Sequence, residues 1–309
     1  RQELPGLALD PGRGLTSVSA SQPATARLSR LVPYLAIAPF LVYVTVFLLY
    51  PTLIVVAGAF TDDSNRLTSS TLRVLTEGVY LRAFARSIEL SAVTAVAGAV
   101  LGALLAWAVW SGPREGPLRR AVTAAAGVLA QFGGVTLAFA FIATIGLSGV
   151  VTNFLQDQMG INPFSGGVWL FDMPGLMLVY VYFQIPLMVL VFLPALDGLR
   201  PEWREAVESL GGSGWDYWRN VAGPVLFPAF LGATLLLFAN AFSAYATAAA
   251  LVSQGSPIVP LKIRGFLTSE VILGQQNLGK ALGFGMIIIV AVVMTLYALL
   301  QRRAARWLR

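Results

Sequence analysis

The chain has 309 residues, 57% of them hydrophobic and 12% charged, with a mean hydropathy of +0.74; a soluble domain carries about 25% charge, so lipid is the expected solvent. A formal charge of +6 and a pI near 9.9 could suggest nucleic acid, but the basic residues flank apolar runs and form no stripe interleaved with aromatics, so they read as topology signals. With no Cys and no His, disulfides, thiolate chemistry, imidazole catalysis and the commonest zinc sites are excluded together, and no redox compartment is implied.

In chain order, residues 1–30 are rich in Pro, Gly, Ser and Thr and hold too little apolar surface to bury, which predicts a mobile tail. The first apolar run is long enough to span and ends in no small-residue cleavage site, so it does not read as a cleavable leader. Six runs of roughly 20 or more mostly apolar residues, enough to cross about 30 Å of hydrocarbon, lie near Leu31 to Phe60, Ile88 to Trp110, Ala121 to Leu147, Gly175 to Leu199, Val225 to Val252 and Ala281 to Leu300. The expected fold is an all-α membrane protein, a six-helix bundle over residues 31–300 with a basic tail at 301–309. Pro33, Pro39 and Pro51 predict a break or kink in the first span; the first and fifth are longer than a crossing needs, which permits tilt.

An even number of spans puts both termini on one side. Fourteen Lys and Arg residues fall on that side and seven on the other, so the positive-inside rule makes both termini cytoplasmic. Thr61 to Ser87, Ser148 to Pro174 and Ser253 to Lys280 then face outward. The middle segment mixes turn formers with Phe154, Phe164, Trp169 and Phe171, and is expected to form short interfacial or re-entrant structure; a plain loop with aromatic belt residues is the alternative.

Within the spans, Gly98 to Gly102 is a GxxxG, expected to let another helix approach closely. Gly146 to Gly149 spells GxSG, the nucleophile motif of rhomboid proteases, but that mechanism needs a His base and none exists. No Asp, Glu, Lys or Arg occupies the centre of a span; Glu89 and Asp197 lie near predicted ends. An ion-driven carrier usually keeps such a group or a carbonyl cage at the midplane, so the energy is expected to come from elsewhere. Gln131 and Thr136 in span three, Gln184 in span four and Asn240, Ser243, Tyr245 and Thr247 in span five remain as buried polar candidates. Interhelical hydrogen bonding explains any of them singly. Asn240, Ser243 and Thr247 step by three and four along one helix, making a polar stripe that fits a pathway lining, with Gln131 and Gln184 as further candidates.

Between spans four and five lies LRPEWREAVESLGGSGWDYWRNVAGPVLFP. Pro201 suits a first helical position, and Glu202 and Glu205 put negative charge where it opposes the positive end of the dipole. Trp203, Val207 and Leu210 form one apolar face, and Gly211, Gly212 and Gly214 stop the helix and allow a tight turn. A second aromatic segment, Trp215 to Trp218, leads to Pro224. This is a helix, turn and helix suited to a groove in another protein.

The loop resembles that of the binding-protein-dependent permeases, the type I importers of the ATP-binding cassette class, whose pattern is EAA, three residues, Gly, nine residues, an aliphatic residue, one residue, then Leu-Pro. Here Glu205, Ala206 and Val207 precede three residues, Gly211, nine residues, Val221, Ala222, Gly223 and Pro224; Val207 stands for the second Ala and Gly223 for Leu. The resemblance in span number and order covers roughly residues 30 to 300.

That resemblance implies a permease subunit of the bacterial inner membrane, working with a second permease (expected to be a different chain), two ATPase subunits and an extracytoplasmic binding protein that holds most of the specificity. The 200–224 loop would dock the ATPase, with Glu205, Ala206, Val207, Leu210, Gly211 and Pro224 as coupling residues. The chain has no P-loop GxxxxGK[ST], so it is expected to be no enzyme and to hold no cofactor, with ATP and Mg bound in the partner. Leu210-Gly211 points toward polyamine, phosphonate, iron or thiamine branches rather than sugar permeases, which more often have Asp before that Gly. A sugar permease, an ion-gradient carrier and a scaffold whose loop merely recruits a partner are the alternatives.

Overall fold

The computed structural model describes residues 37–61, 66, 68, 71–252, 258–268 and 276–307; the expected tail at 1–30 lies outside them. Six helical stretches are long and apolar enough to cross a membrane: Ile37–Ala59, Gly78–Trp110, Gly134–Met159, Met173–Asp197, Gly214–Ser243 and Asn277–Arg302. Number and order agree with the sequence reading, but the third stretch, Gly134–Met159, is displaced from the expected Ala121 to Leu147 and enters the segment expected to face outward. Internal contacts divide the chain into Arg1–Leu53 and Ile54–Arg309.

In the first unit the described residues are helical, with a π turn at Thr45–Leu49. The N–H of Tyr50 reaches back to the carbonyl of Thr45, and Pro51, which has no N–H and crowds the preceding turn, follows at once. The expected proline break takes this form. Phe40, Phe47 and Leu48 are exposed, as suits a helix bathed in hydrocarbon.

The second unit opens in the helix α1 (Tyr50–Ala59) and is organised around α2 (Gly78–Trp110) and α6 (Met173–Asp197). These two can approach closely because α2 turns small residues toward α6. A Cβ at Gly98 would lie 2.6 Å from Gln184 Cβ, and one at Gly102 2.5 Å from Met188 Cβ. The GxxxG is therefore an internal packing seam. Ser87, Ser91 and Thr94 continue it, all buried; Ser91 and Thr94 donate to carbonyls one turn back, which satisfies their hydroxyls within the helix. The helices α9 (Gly223–Ser243) and α11 (Gln276–Trp307) complete this side, α9 touching α2, α6 and α11.

Two spans read as continuous in the sequence are broken. In place of one third span over 121–147 there are α3 (Pro117–Gln131) and α4 (Gly134–Ile145), separated by Phe132 and Gly133, with Gly134 at φ +69°. In place of a tilted fifth span over 225–252, α9 stops at Ser243 and α10 (Ala246–Leu251) begins after Ala244 and Tyr245. The second pieces, α4 and α10, pack on each other, while α3 packs on α6. The segment expected after the third span forms α5 (Val150–Met159), which belongs to the crossing-length stretch Gly134–Met159, and a 3-10 turn at Trp169–Phe171. Phe164 stacks on Trp169 at 5.9 Å and the indole donates to the Pro163 carbonyl, so the expected short structure is present there.

Candidate functional site

The loop after span four begins at Gly198, which caps α6, and folds as α7 (Pro201–Ser209) and α8 (Gly214–Tyr217). Pro201 occupies the first turn, where its missing N–H leaves no bond unmade. The end of α7 is closed by two bonds, Gly211 N–H to the Glu208 carbonyl (3.0 Å) and Gly212 N–H to the Val207 carbonyl (2.9 Å), with Gly211 left-handed at φ +79°; this pairing is a Schellman motif. Ser213 and Asp216 then form a capping box that starts α8. Two short helices are thus locked at a fixed angle by main-chain bonds and one side-chain pair.

The expected single apolar face of Trp203, Val207 and Leu210 is divided. Trp203 and Val207 pack inward on the cluster that contains Val109, Leu196, Leu199 and Tyr217. Leu210 follows the last helical residue, where the turn carries it outward, and it is 89% exposed, as Trp215 is 71% exposed. Glu205, Ala206, Gly211 and Pro224 are exposed as well. Trp218, the end of the expected second aromatic segment, meets Trp107 and Trp110 edge to face at 6.4 and 6.1 Å and pins the loop to the end of α2. It opens a π turn, Trp218–Ala222, that explains one departure from the family pattern. A Cβ at Gly223 would lie 2.6 Å from the Trp218 carbonyl oxygen, so a leucine does not fit there.

Beside the loop, Arg119 of α3 forms an ion pair with Asp197 at the end of α6. Arg119 Nη1 and Asp197 Oδ1 have no further partner among the described residues. A polar hollow of about 430 Å³ lies next to it, lined by Arg114 and by Asp197 through Trp203. The pair joins the base of the 198–224 loop to α3.

The other end of α3 opens into a cavity of about 250 Å³ at the two helix breaks, lined by Ala130, Gly133, Gly134, Phe183, Asn240, Ser243, Ala244 and Thr247. Asn240, Ser243 and Thr247 thus converge, though not as a stripe on one helix: Thr247 lies on α10, past the break. The break itself is held by Tyr180 of α6, whose hydroxyl donates to the freed Ala244 carbonyl at 2.7 Å. Gln184 lies elsewhere. It is fully buried between α2 and α6, its amide donating to Thr94 Oγ1 at 2.8 Å, and it lines no part of this cavity. Gln131 and Thr136 are exposed, and Gln131 uses its carbonyl to receive the Gly133 N–H. Sequence reasoning missed Gly133, Gly134 and Tyr180; the Gly-Gly doublet was the available signal for the first two.

No protein-family model matches the chain. It is 24% identical over 209 residues to the ferric transport system permease protein FbpB of Actinobacillus pleuropneumoniae, a match covering 66% of this chain and 29% of that protein. It is 28% identical over 251 residues to the probable sulfate transport system permease protein cysT of Nephroselmis olivacea, covering 79% and 80%. The molybdenum transport system permease protein ModB of Azotobacter vinelandii is 26% identical over 161 residues, covering 52% and 67%. The chain spans under a third of the length of the FbpB proteins it matches, 29% here and 30% for one from Haemophilus influenzae. Its fold is similar to a crystal structure of a bacterial ABC transporter involved in import of the acidic polysaccharide alginate, with a TM-score of 0.71 at 16% identity, over 91% of this chain and 98% of that one. Six spans, a capped helix-turn-helix before the fifth, and these transport-permease relatives point the same way: the chain is similar to the permease subunits of ATP-binding cassette importers.

Proposed function

We propose that this chain forms half of the membrane path of an ATP-driven solute importer, pairs with a second, different permease chain, and takes its energy from two ATPase subunits that bind ATP and Mg. An extracytoplasmic binding protein delivers the solute, and both termini lie in the cytoplasm. The observation that carries the reading is the division of faces in the 198–224 segment. Trp203, Val207 and Trp218 anchor it in the permease core, while Glu205, Ala206, Leu210 and Trp215 stand free with no partner side chain to cover them. A rigid, inwardly anchored lever with an exposed apolar tip is what docking into a groove and transmitting force require. Arg119 and Asp197 link that lever to α3, which ends at the cavity proposed as part of the solute path.

Replacing Leu210 with Asp, or Glu205 with Lys, tests the docking. Either change leaves the permease core untouched and should reduce co-purification of the ATPase and solute-stimulated ATP hydrolysis in reconstituted vesicles. Wild-type assembly and transport in both variants would return the ion-gradient carrier and the scaffold as the better readings.

A further inference from the structure

We infer that the cavity at the two helix breaks is a transient binding site for a small oxyanion, held by neutral hydrogen-bond donors; the inference rests on the pathway reading above and adds its substrate class. On the acceptor side, five main-chain carbonyls at the two breaks are already engaged. The Gln131 carbonyl takes the Gly133 N–H, the Ala241 carbonyl takes the Ala244 N–H, the Ala239 and Asn240 carbonyls take the Ser243 hydroxyl, and the Ala244 carbonyl takes the Tyr180 hydroxyl. No carboxylate lines the space, so a metal ion or polyamine would find no negative charge there.

Donors are left open. The helix α4 is 12 residues long and starts in this cavity with Gly133 at its N-cap and no side-chain cap; its first-turn N–H groups have no intrahelical acceptor and carry the positive end of the dipole. Nothing lies within 4 Å of a Cβ placed on Gly133, so a ligand can come close to the main chain. Independently of that helix end, Thr247 is 98% buried and lines the cavity, and its hydroxyl makes no hydrogen bond among the described residues. A side chain this buried whose hydroxyl stays open only to the cavity points to a group that arrives from outside. The Asn240 amide, which also lines the cavity, makes no hydrogen bond among the described residues and can turn its NH2 donors to a ligand. Dipole and neutral donors without a fixed cation hold an anion weakly, which suits a site that must release what it binds.

The helix start supplies its own test. Gly133 sits at φ −132°, ψ −164°, extended backbone open to any residue, and Asp is a preferred N-cap. Gly133→Asp would therefore place a tethered carboxylate on the α4 N–H groups, filling the site while capping the helix. The assay is uptake of labelled inorganic sulfate and phosphate into proteoliposomes holding the chain with its ATPase, permease and binding-protein partners. The expected result is that the wild-type complex imports at least one of the two, and that Gly133→Asp lowers the initial rate about tenfold or more, with thermal melting and ATPase co-purification no lower than wild type. Thr247→Val, which keeps shape and removes the hydroxyl, should lower it several-fold. Unchanged uptake in both variants overturns the site. A wild-type complex that uses ATP to import a metal cation, a polyamine or a neutral sugar, but neither anion, overturns the oxyanion assignment and leaves the importer reading standing. A chain that assembles with no ATPase overturns that reading and this inference with it.

Discussion

Replacing Gly211 with valine separates the geometry of the 198–224 loop, proposed to dock the ATPase, from its chemistry. At φ +79° a non-glycine residue pays about 1–2 kcal/mol, with β-branched side chains at the upper end. No clash adds to this, because nothing lies within 4 Å of a Cβ at this position. The turn can escape the strain only by giving up the bonds from Gly211 and Gly212 to Glu208 and Val207, each contributing about 0.5–1.5 kcal/mol. The two costs are of similar size, so the valine chain divides between a strained closed turn and an opened one, and α8 loses its fixed angle to α7. Asn tolerates the left-handed region far better, so Gly211→Asn should stay near wild type, Gly211→Ala should fall between, and Gly211→Val should retain the least ATPase and move the least solute per ATP hydrolysed. The measurement is the ratio of uptake to hydrolysis in reconstituted vesicles, with membrane insertion checked for each variant. Equal behaviour of Asn and Val would refute the role of the left-handed turn.

Tyr180→Phe removes the donor to the Ala244 carbonyl and leaves that group unpaired at about 1–3 kcal/mol; detergent melting should fall, and a wild-type melt would mean the break is held by packing alone. Arg119→Met strands the Asp197 carboxylate. A fully buried pair would cost about 3–5 kcal/mol to break, but side-chain exposures of 17% and 35% reduce this to about 1–2 kcal/mol, and Arg119→Met with Asp197→Asn should melt higher than Arg119→Met alone. The natural chain has no Cys, so a single Cys at Ser213 reports topology cleanly. It should resist an impermeant reagent in intact cells and react in inverted vesicles; labelling from outside would reverse the orientation.

The spans that are continuous helices were legible from hydropathy, because length and composition alone decide whether a helix suits hydrocarbon. The breaks were less so. Gly133-Gly134 carried a local signal, obscured by the apolar residues on both sides. Ala244-Tyr245 carried none: no Pro or Gly stands there, and the freed carbonyl is satisfied by Tyr180, 64 residues away. A break compensated by tertiary contact cannot be read from a window. Gln184 shows the converse. An amide in an apolar helix fits a pathway or a packed interface equally well, and only Thr94 opposite it decides for the interface. In the 198–224 loop, spacing located the helix and its glycine stop. That stop also sends Leu210 away from Trp203 and Val207, which a periodic pattern carried past the helix end would place together.

The most direct test sets the energy source against its rivals in one vesicle. The chain, reconstituted with its ATPase, permease and binding-protein partners, is supplied with ATP on the side of the 198–224 loop and solute on the other, while ionophores collapse proton and sodium gradients. Coupled import predicts uptake that follows ATP hydrolysis, survives the ionophores and stops in Gly211→Val. Uptake that needs no ATP and disappears with the ion gradients would contradict it.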